Sequence, residues 1–129
     1  MVLTEPELFA YLKEFYYSDL EMSEDKHSKH DCISDGYGLY IELKSRNKHY
    51  DDLLIEKVKY DAIFEGAIKH KYLAYYINST PEGIWSFNLA ELPVPEWEER
   101  WLPQNTEFSA RGNKTKVVGY LHIKDGVAL

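Results

Sequence analysis

Apolar residues recur at Leu8, Leu12 and Phe15, a spacing that lines one face of a helix. Thr4-Glu5-Pro6-Glu7 supplies its start. Thr4 caps, Glu7 answers three residues on, and Pro6 sits in the first turn, where its missing N–H costs nothing. This helix is predicted to end near Tyr17. A second helix is predicted from Asp51 or Asp52 to about Gly66, with Leu54, Ile55, Val58 and Ala62 as its buried stripe. Elsewhere the period shortens to two. Leu20 and Met22 seat a short strand that leads to a turn near Glu24-Asp25, and two alternating segments flank Asp35-Gly36. Residues 71–78 read as an aromatic strand, 79–83 as a turn and 84–89 as the returning strand. Pro93, Pro95 and Pro103 frame an irregular surface excursion in which Trp97 and Trp101 allow one helical turn. Residues 117–123 read as a last strand at a sheet edge. The order is α-β-β-β-α-β-β, an irregular segment, then a strand.

The segment around Asp35-Gly36 carries the chemistry. Asp-Gly between alternating segments is a strong hairpin signal, because both loop positions need positive φ. With Asp35 and Gly36 as the loop, Asp31 faces Tyr40. Asp31, Tyr40, Glu42 and Lys44 then share one face, while Cys32, Leu39, Ile41 and Leu43 share the other, apolar one. Asp31 and Glu42 become diagonal neighbours with backbones roughly 7–8 Å apart. Two carboxylates so placed can share one divalent ion at oxygen–metal distances of ~2.0–2.5 Å. A one-residue slip would send one of them to the opposite face.

Composition sets the frame. The chain has 129 residues, 44% hydrophobic and 29% charged, which suits one globular domain spanning residues 1–129. Its single cysteine rules out an internal disulfide framework. The start MVLTEPELF has neither a basic region nor a long apolar run, and no segment reaches ~20 apolar residues, so an intracellular, cytoplasmic protein is expected. The net charge of −7 argues against a general nucleic-acid coat protein. That charge is uneven: residues 1–42 carry −7, residues 43–72 carry +2 and residues 73–129 carry −2. The one positive segment follows Glu42-Leu43-Lys44 directly.

That element order, with Asp31 opening the second strand and Glu42-Leu43-Lys44 on the third, resembles the PD-(D/E)XK nuclease superfamily over roughly residues 4–90. The apolar Leu39-Tyr40-Ile41 before Glu42, and a helix with Lys59-Tyr60 followed by an aromatic strand pair, carry the same likeness. His30 stands where the pattern often has proline. The resemblance implies a restriction-endonuclease-like αβββαβ core, a mixed α/β (α+β) fold whose mixed sheet is flanked by helices. It implies Mg²⁺ or Mn²⁺ held by Asp31, Glu42 and the Leu43 carbonyl, with Asp31, Glu42 and Lys44 catalytic. The metal would lower the pKa of a bound water and stabilise charge on the phosphate, while Lys44 orients that water or offsets the charge. Arg46, Lys48 and Lys59 would contact flanking phosphates of nucleic acid, expected to be DNA. A first-helix glutamate reaches the metal in many relatives; Glu5, Glu7 and Glu14 are the candidates, with Glu7 preferred although capping explains it equally well. A homodimer is expected for a nuclease of this size.

Other constellations are weaker. His27, His30, Asp31 and Cys32 fit no strong zinc spacing, and Cys32 should face away from Asp31. His49, His70 and His122 read as structural. The Tyr72, Tyr75, Tyr76, Trp85 and Phe87 strand pair reads as sheet core before base-stacking surface. Two rival functions stand beside the nuclease: a catalytically inactive binding module on the same fold, and an acidic domain that engages a protein partner.

Overall fold

The computed structural model describes residues 2–23, 31–103 and 113–129. The expected turn near Glu24-Asp25, and His27 and His30, lie outside them. Among the described residues, two α-helices and two sheets make a mixed α+β architecture. Helix α1 (Glu5–Phe15) starts as its sequence requires. The Glu7 amide donates to Thr4 Oγ1 at 3.3 Å and the Thr4 amide donates to Glu7 Oε1 at 2.9 Å. Leu8 and Leu12 are buried, but Phe15 is 63% exposed and leaves the expected stripe. Its ring stands against Tyr11 at 5.1 Å between centroids.

The larger sheet joins β1 (Glu21–Met22), β2 (Asp31–Ser34), β3 (Leu39–Ser45), β5 (Leu73–Thr80), β6 (Gly83–Asn88) and β9 (Val127–Ala128) in that spatial order. Neighbours are antiparallel except β3 and β5, which run parallel. The β3-to-β5 connection holds β4 (Asp52–Glu56) and α2 (Lys57–His70). A parallel pair requires such a long crossover.

The β2–β3 loop is not the expected two-residue turn. Ser34 pairs with Leu39, so Asp35, Gly36, Tyr37 and Gly38 all lie in the loop. Asp19 holds it from outside: Ser34 Oγ donates to Asp19 Oδ1 at 2.7 Å and the Gly36 amide to Oδ2 at 2.6 Å. Those bonds, the Ser34 hydroxyl first, lower the pKa of Asp19. Gly38, at φ 67°, takes the left-handed turn. The register thus shifts by two residues, which keeps every side chain on its expected face.

The second helix starts later than expected. Residues 52–56 form β4, burying Leu53 and Ile55 at a period of two. They pair with β8 (Asn113–His122), from Asp52 opposite His122 to Glu56 opposite Val118. This long-range pairing overrides the local helix pattern. Helix α2 buries Tyr60, Ile63 and Ala67, while Val58 is 71% exposed. It ends at Lys71 in the left-handed conformation, φ 63°. Strand β8 is not an edge: it sits centrally in a second sheet ordered β4-β8-β7. The expected helical turn at Trp97–Trp101 is instead led into and occupied by β7 (Glu98–Pro103), whose Trp101 pairs with Thr115. Trp97 meets the Tyr60 ring edge-on at 5.1 Å.

Two cores follow. Leu8, Leu12, Cys32, Ile41, Leu43 and Ile77 pack between the larger sheet and α1. Tyr40, Leu53, Ile55, Ile63, Tyr76 and Phe87 pack on its other face with α2 and β4. Burial pushes the Cys32 thiol up to about 12. The native protein will therefore resist thiol reagents at pH 8 and react only once unfolded, as labelling with and without urea will show. Above pH 9 the unfolded thiol ionises and the folded one does not, so this group lowers stability as pH rises from about 9 toward 12.

Candidate functional site

Strand β3 alternates between the two cores. Ile41 and Leu43 point toward α1, so Tyr40, Glu42 and Lys44 face α2 and β4. Asp31 pairs directly with Glu42. Directly opposed residues hold their Cβ atoms about 4.5–5.5 Å apart, closer than the expected diagonal. Both carboxylates are buried. Tyr40 Oη donates to Asp31 Oδ2 at 2.6 Å. Asp31 Oδ1 is buried with no hydrogen-bond partner. Lys59 on α2 brings its ammonium to 3.8 Å from Glu42 Oε1. That is an ion-pair contact too long for a hydrogen bond.

Lys44 is half-buried on the same face. Its pKa is lowered, first by burial and then by the Arg46 charge, with Glu5 and Glu56 acting in opposition. No described carboxylate lies within 4.0 Å of its amine. Leu43 buries its side chain in the α1 core, leaving only its backbone to serve the face of Glu42. The described pairing of β2 with β3 ends at Asp31 and Glu42, so Leu43 lies just past it.

Arg46 is committed inside the fold. Its Nε donates to Asn78 Oδ1 at 2.7 Å, and its Nη2 donates to the Tyr76 hydroxyl at 3.0 Å and to the Leu54 carbonyl. Only Nη1 has no described acceptor. Lys48 is exposed and Lys59 is exposed above the acid pair. Among first-helix acids, Glu7 is spent on the cap, whereas Glu5 is the one whose charge reaches Lys44. Tyr40 and Asn78 escaped the sequence reading as site residues. Tyr40 was legible only as a member of the Glu42 face. The signal for Asn78 was a polar run, Asn78-Ser79-Thr80, in an otherwise apolar strand; all three are buried. Asn78 pairs with Lys44 across β3 and β5, and its Nδ2 is buried without an acceptor.

The donor chemistry suits a hard divalent cation. Asp31 presents a bare carboxylate oxygen opposite a second buried carboxylate. Among the described residues no group of three or more His, Cys, Asp or Glu gathers to hold a metal. Mg²⁺ asks for less protein than that, since it usually binds through one or two carboxylates and keeps several waters. Asp31, Glu42 and the Leu43 carbonyl are the groups that could hold it. Cys32 lies on the opposite face from Asp31, so the two cannot share an ion. A separate open groove lies between α2 and the 89–94 segment, lined by Tyr60, Phe64, Ile68, Leu92 and Val94 with Asp61 and Glu65, and contains neither Asp31 nor Glu42. No helix among the described residues is long and apolar enough to cross a membrane. No family model, no curated protein and no solved structure matches this chain.

Proposed function

We propose that the protein is a divalent-metal-dependent nuclease that hydrolyses phosphodiester bonds, with DNA as its substrate, in a phage, repair or recombination setting. The observation that carries this reading is the unpartnered Asp31 Oδ1, buried directly opposite Glu42 and two residues along the face from Lys44. A buried acceptor left bare costs about 1–3 kcal/mol, so a cation that occupies it recovers stability as well as chemistry. The run α1, β1, β2, β3, α2, β5, with β3 parallel to β5, supports the restriction-endonuclease-like core, and β4 is then an insertion before α2.

Asp31 and Glu42 would bind Mg²⁺ or Mn²⁺, which supplies a Lewis acid and a water of lowered pKa. Lys44 does its part with an amine that burial and Arg46 have made easier to deprotonate. It accepts a hydrogen bond from the attacking water when neutral and offsets phosphate charge when protonated. Lys59 and Lys48 hold flanking phosphates from the exposed side, and Arg46 contributes its remaining Nη1. The Lys59 contact with Glu42 also favours a second reading, a non-catalytic module whose acid is neutralised internally. A homodimer would let two such sites meet both strands of a duplex.

Cleavage of single-stranded, duplex and branched DNA with Mg²⁺, Mn²⁺ or EDTA tests the proposal, with Asp31→Asn as control. Metal-dependent cutting that EDTA and Asp31→Asn both abolish is expected. Cutting that persists in EDTA overturns it. So does a wild-type protein that neither cuts nor binds Mn²⁺, and that result leaves the non-catalytic module. Sedimentation that finds only monomer at high concentration removes the dimer.

A further inference from the structure

We infer that Tyr40 is a positioning residue that makes Asp31 a one-oxygen ligand and so selects Mg²⁺ or Mn²⁺ over Ca²⁺. This rests on the metal reading above. A phenol hydroxyl has one proton to give, and Tyr40 gives it to Asp31 Oδ2 at 2.6 Å. The two oxygens of the carboxylate are thereby made unlike. Oδ2 is engaged, while Oδ1 is bare and buried.

The hydroxyl has little freedom to move. Tyr40 is itself buried, and α2 crosses its ring at Gly66. A Cβ at Gly66 would lie 2.3 Å from Tyr40 Cζ and 2.7 Å from both Cε atoms. Real Cβ atoms do not approach so closely, so the helix carries glycine where the ring needs the room. His70 stacks on the Tyr40 ring at 5.8 Å and 26°, and Tyr72 stacks on His70 at 5.7 Å and 16°. The Tyr72 hydroxyl donates to Asp35 in the β2–β3 loop. The ring is thus held by β3, by α2 and by a stack that ends on the loop joining Asp31's own strand to β3.

The selectivity follows from coordination chemistry. Ca²⁺ takes six to eight oxygens and often fills that number with a carboxylate that binds through both of its oxygens. Mg²⁺ demands near-ideal octahedral geometry at about 2.0–2.1 Å and is served by single oxygens. An Asp31 whose second oxygen is occupied by Tyr40 meets the second demand and leaves Ca²⁺ one oxygen short of what a two-oxygen carboxylate gives.

Tyr40→Phe keeps the ring and removes only the bond. Mn²⁺ and Ca²⁺ binding will be measured by calorimetry on both proteins, with melting in metal-free buffer to verify folding. Removing a group that orients a ligand typically costs 10–100-fold in metal affinity, and a loss in that range is expected for Mn²⁺. The Ca²⁺ affinity should hold or rise, so the Ca²⁺-to-Mn²⁺ affinity ratio increases at least 10-fold. A merely structural role would weaken both ions in parallel and leave the ratio fixed, which overturns the inference. A metal-free readout separates the two ideas. Proton NMR of the wild type should show one slowly exchanging tyrosine hydroxyl that Tyr40→Phe lacks. If that proton is present but the wild type binds neither ion, the metal reading fails and the selectivity with it. If Mn²⁺ binds and Tyr40→Phe changes nothing, only the role of Tyr40 fails.

Discussion

On the proposed nuclease reading, Lys44→Met will slow metal-dependent cleavage by about 10²–10⁴-fold, the range a positioned proton-transfer group supplies. The same substitution will raise folding stability at neutral pH. Burial, and the Arg46 charge after it, lower the Lys44 pKa below its ordinary 10.5. The unfolded chain therefore binds more protons than the folded one between the folded pKa and 10.5, and stability rises with pH through that window. Below it, the native state holds an ammonium where one is disfavoured. Methionine keeps the apolar stem and removes that penalty. The gain is full at neutral pH, shrinks as the pH rises through that window and is gone above 10.5, where the wild-type lysine is neutral in both states. Cleavage rates together with urea denaturation at pH 7 and pH 10 check both halves. A loss of rate accompanied by a loss of stability would mean that Lys44 serves Glu5 and Glu56 as a structural counter-charge instead.

Arg46→Ala will destabilise the fold by about 2–4 kcal/mol, since hydrogen bonds from a charged donor contribute about 1.5–3 kcal/mol each and abandoned buried acceptors add to the loss. The guanidinium bridges Asn78 on β5, Tyr76 on β5 and the Leu54 carbonyl on β4. It ties the larger sheet to the start of the second one. Asn78 is fully buried and would keep neither its oxygen nor its nitrogen satisfied. Arg46→Lys should recover little, because one ammonium cannot reproduce a planar fork with three acceptors. A drop in the denaturant midpoint with an unchanged slope is the expected signature. Lys48→Ala, at an exposed position, should leave the midpoint in place. If Arg46→Ala lowers DNA binding without moving the midpoint, the arginine is a phosphate contact first and a strut second.

What the sequence disclosed was parity, and what it concealed was pairing. Asp31, Tyr40, Glu42 and Lys44 were assigned to one face from alternation alone, and that survived a two-residue error in register because two is the period of a strand. The loop length itself was set by Asp19, sixteen residues before Asp35, and no local rule reads such a bond. Leu53-Leu54-Ile55 is a short apolar run that suits helix or strand equally. Its partner in β8 decided the matter from more than sixty residues away. The same strand made β7 of a segment whose tryptophan spacing suggested a helical turn. Arg46 looked like a surface cation because nothing in its neighbourhood of sequence announces Asn78, Tyr76 or Leu54.

The placement of β4 has a consequence for how the chain matures. By Asn88 both members of the acid pair, the parallel strand beside them and the helix above them have all been synthesised. Strand β4 has also emerged, yet its only described sheet partner begins at Asn113. Until then it is an unpaired, aliphatic edge, the kind of surface that recruits another chain. Strand β8 therefore closes that edge only late in synthesis. Pulse-labelled nascent chains that stop before it should aggregate, while those extended past His122 should not.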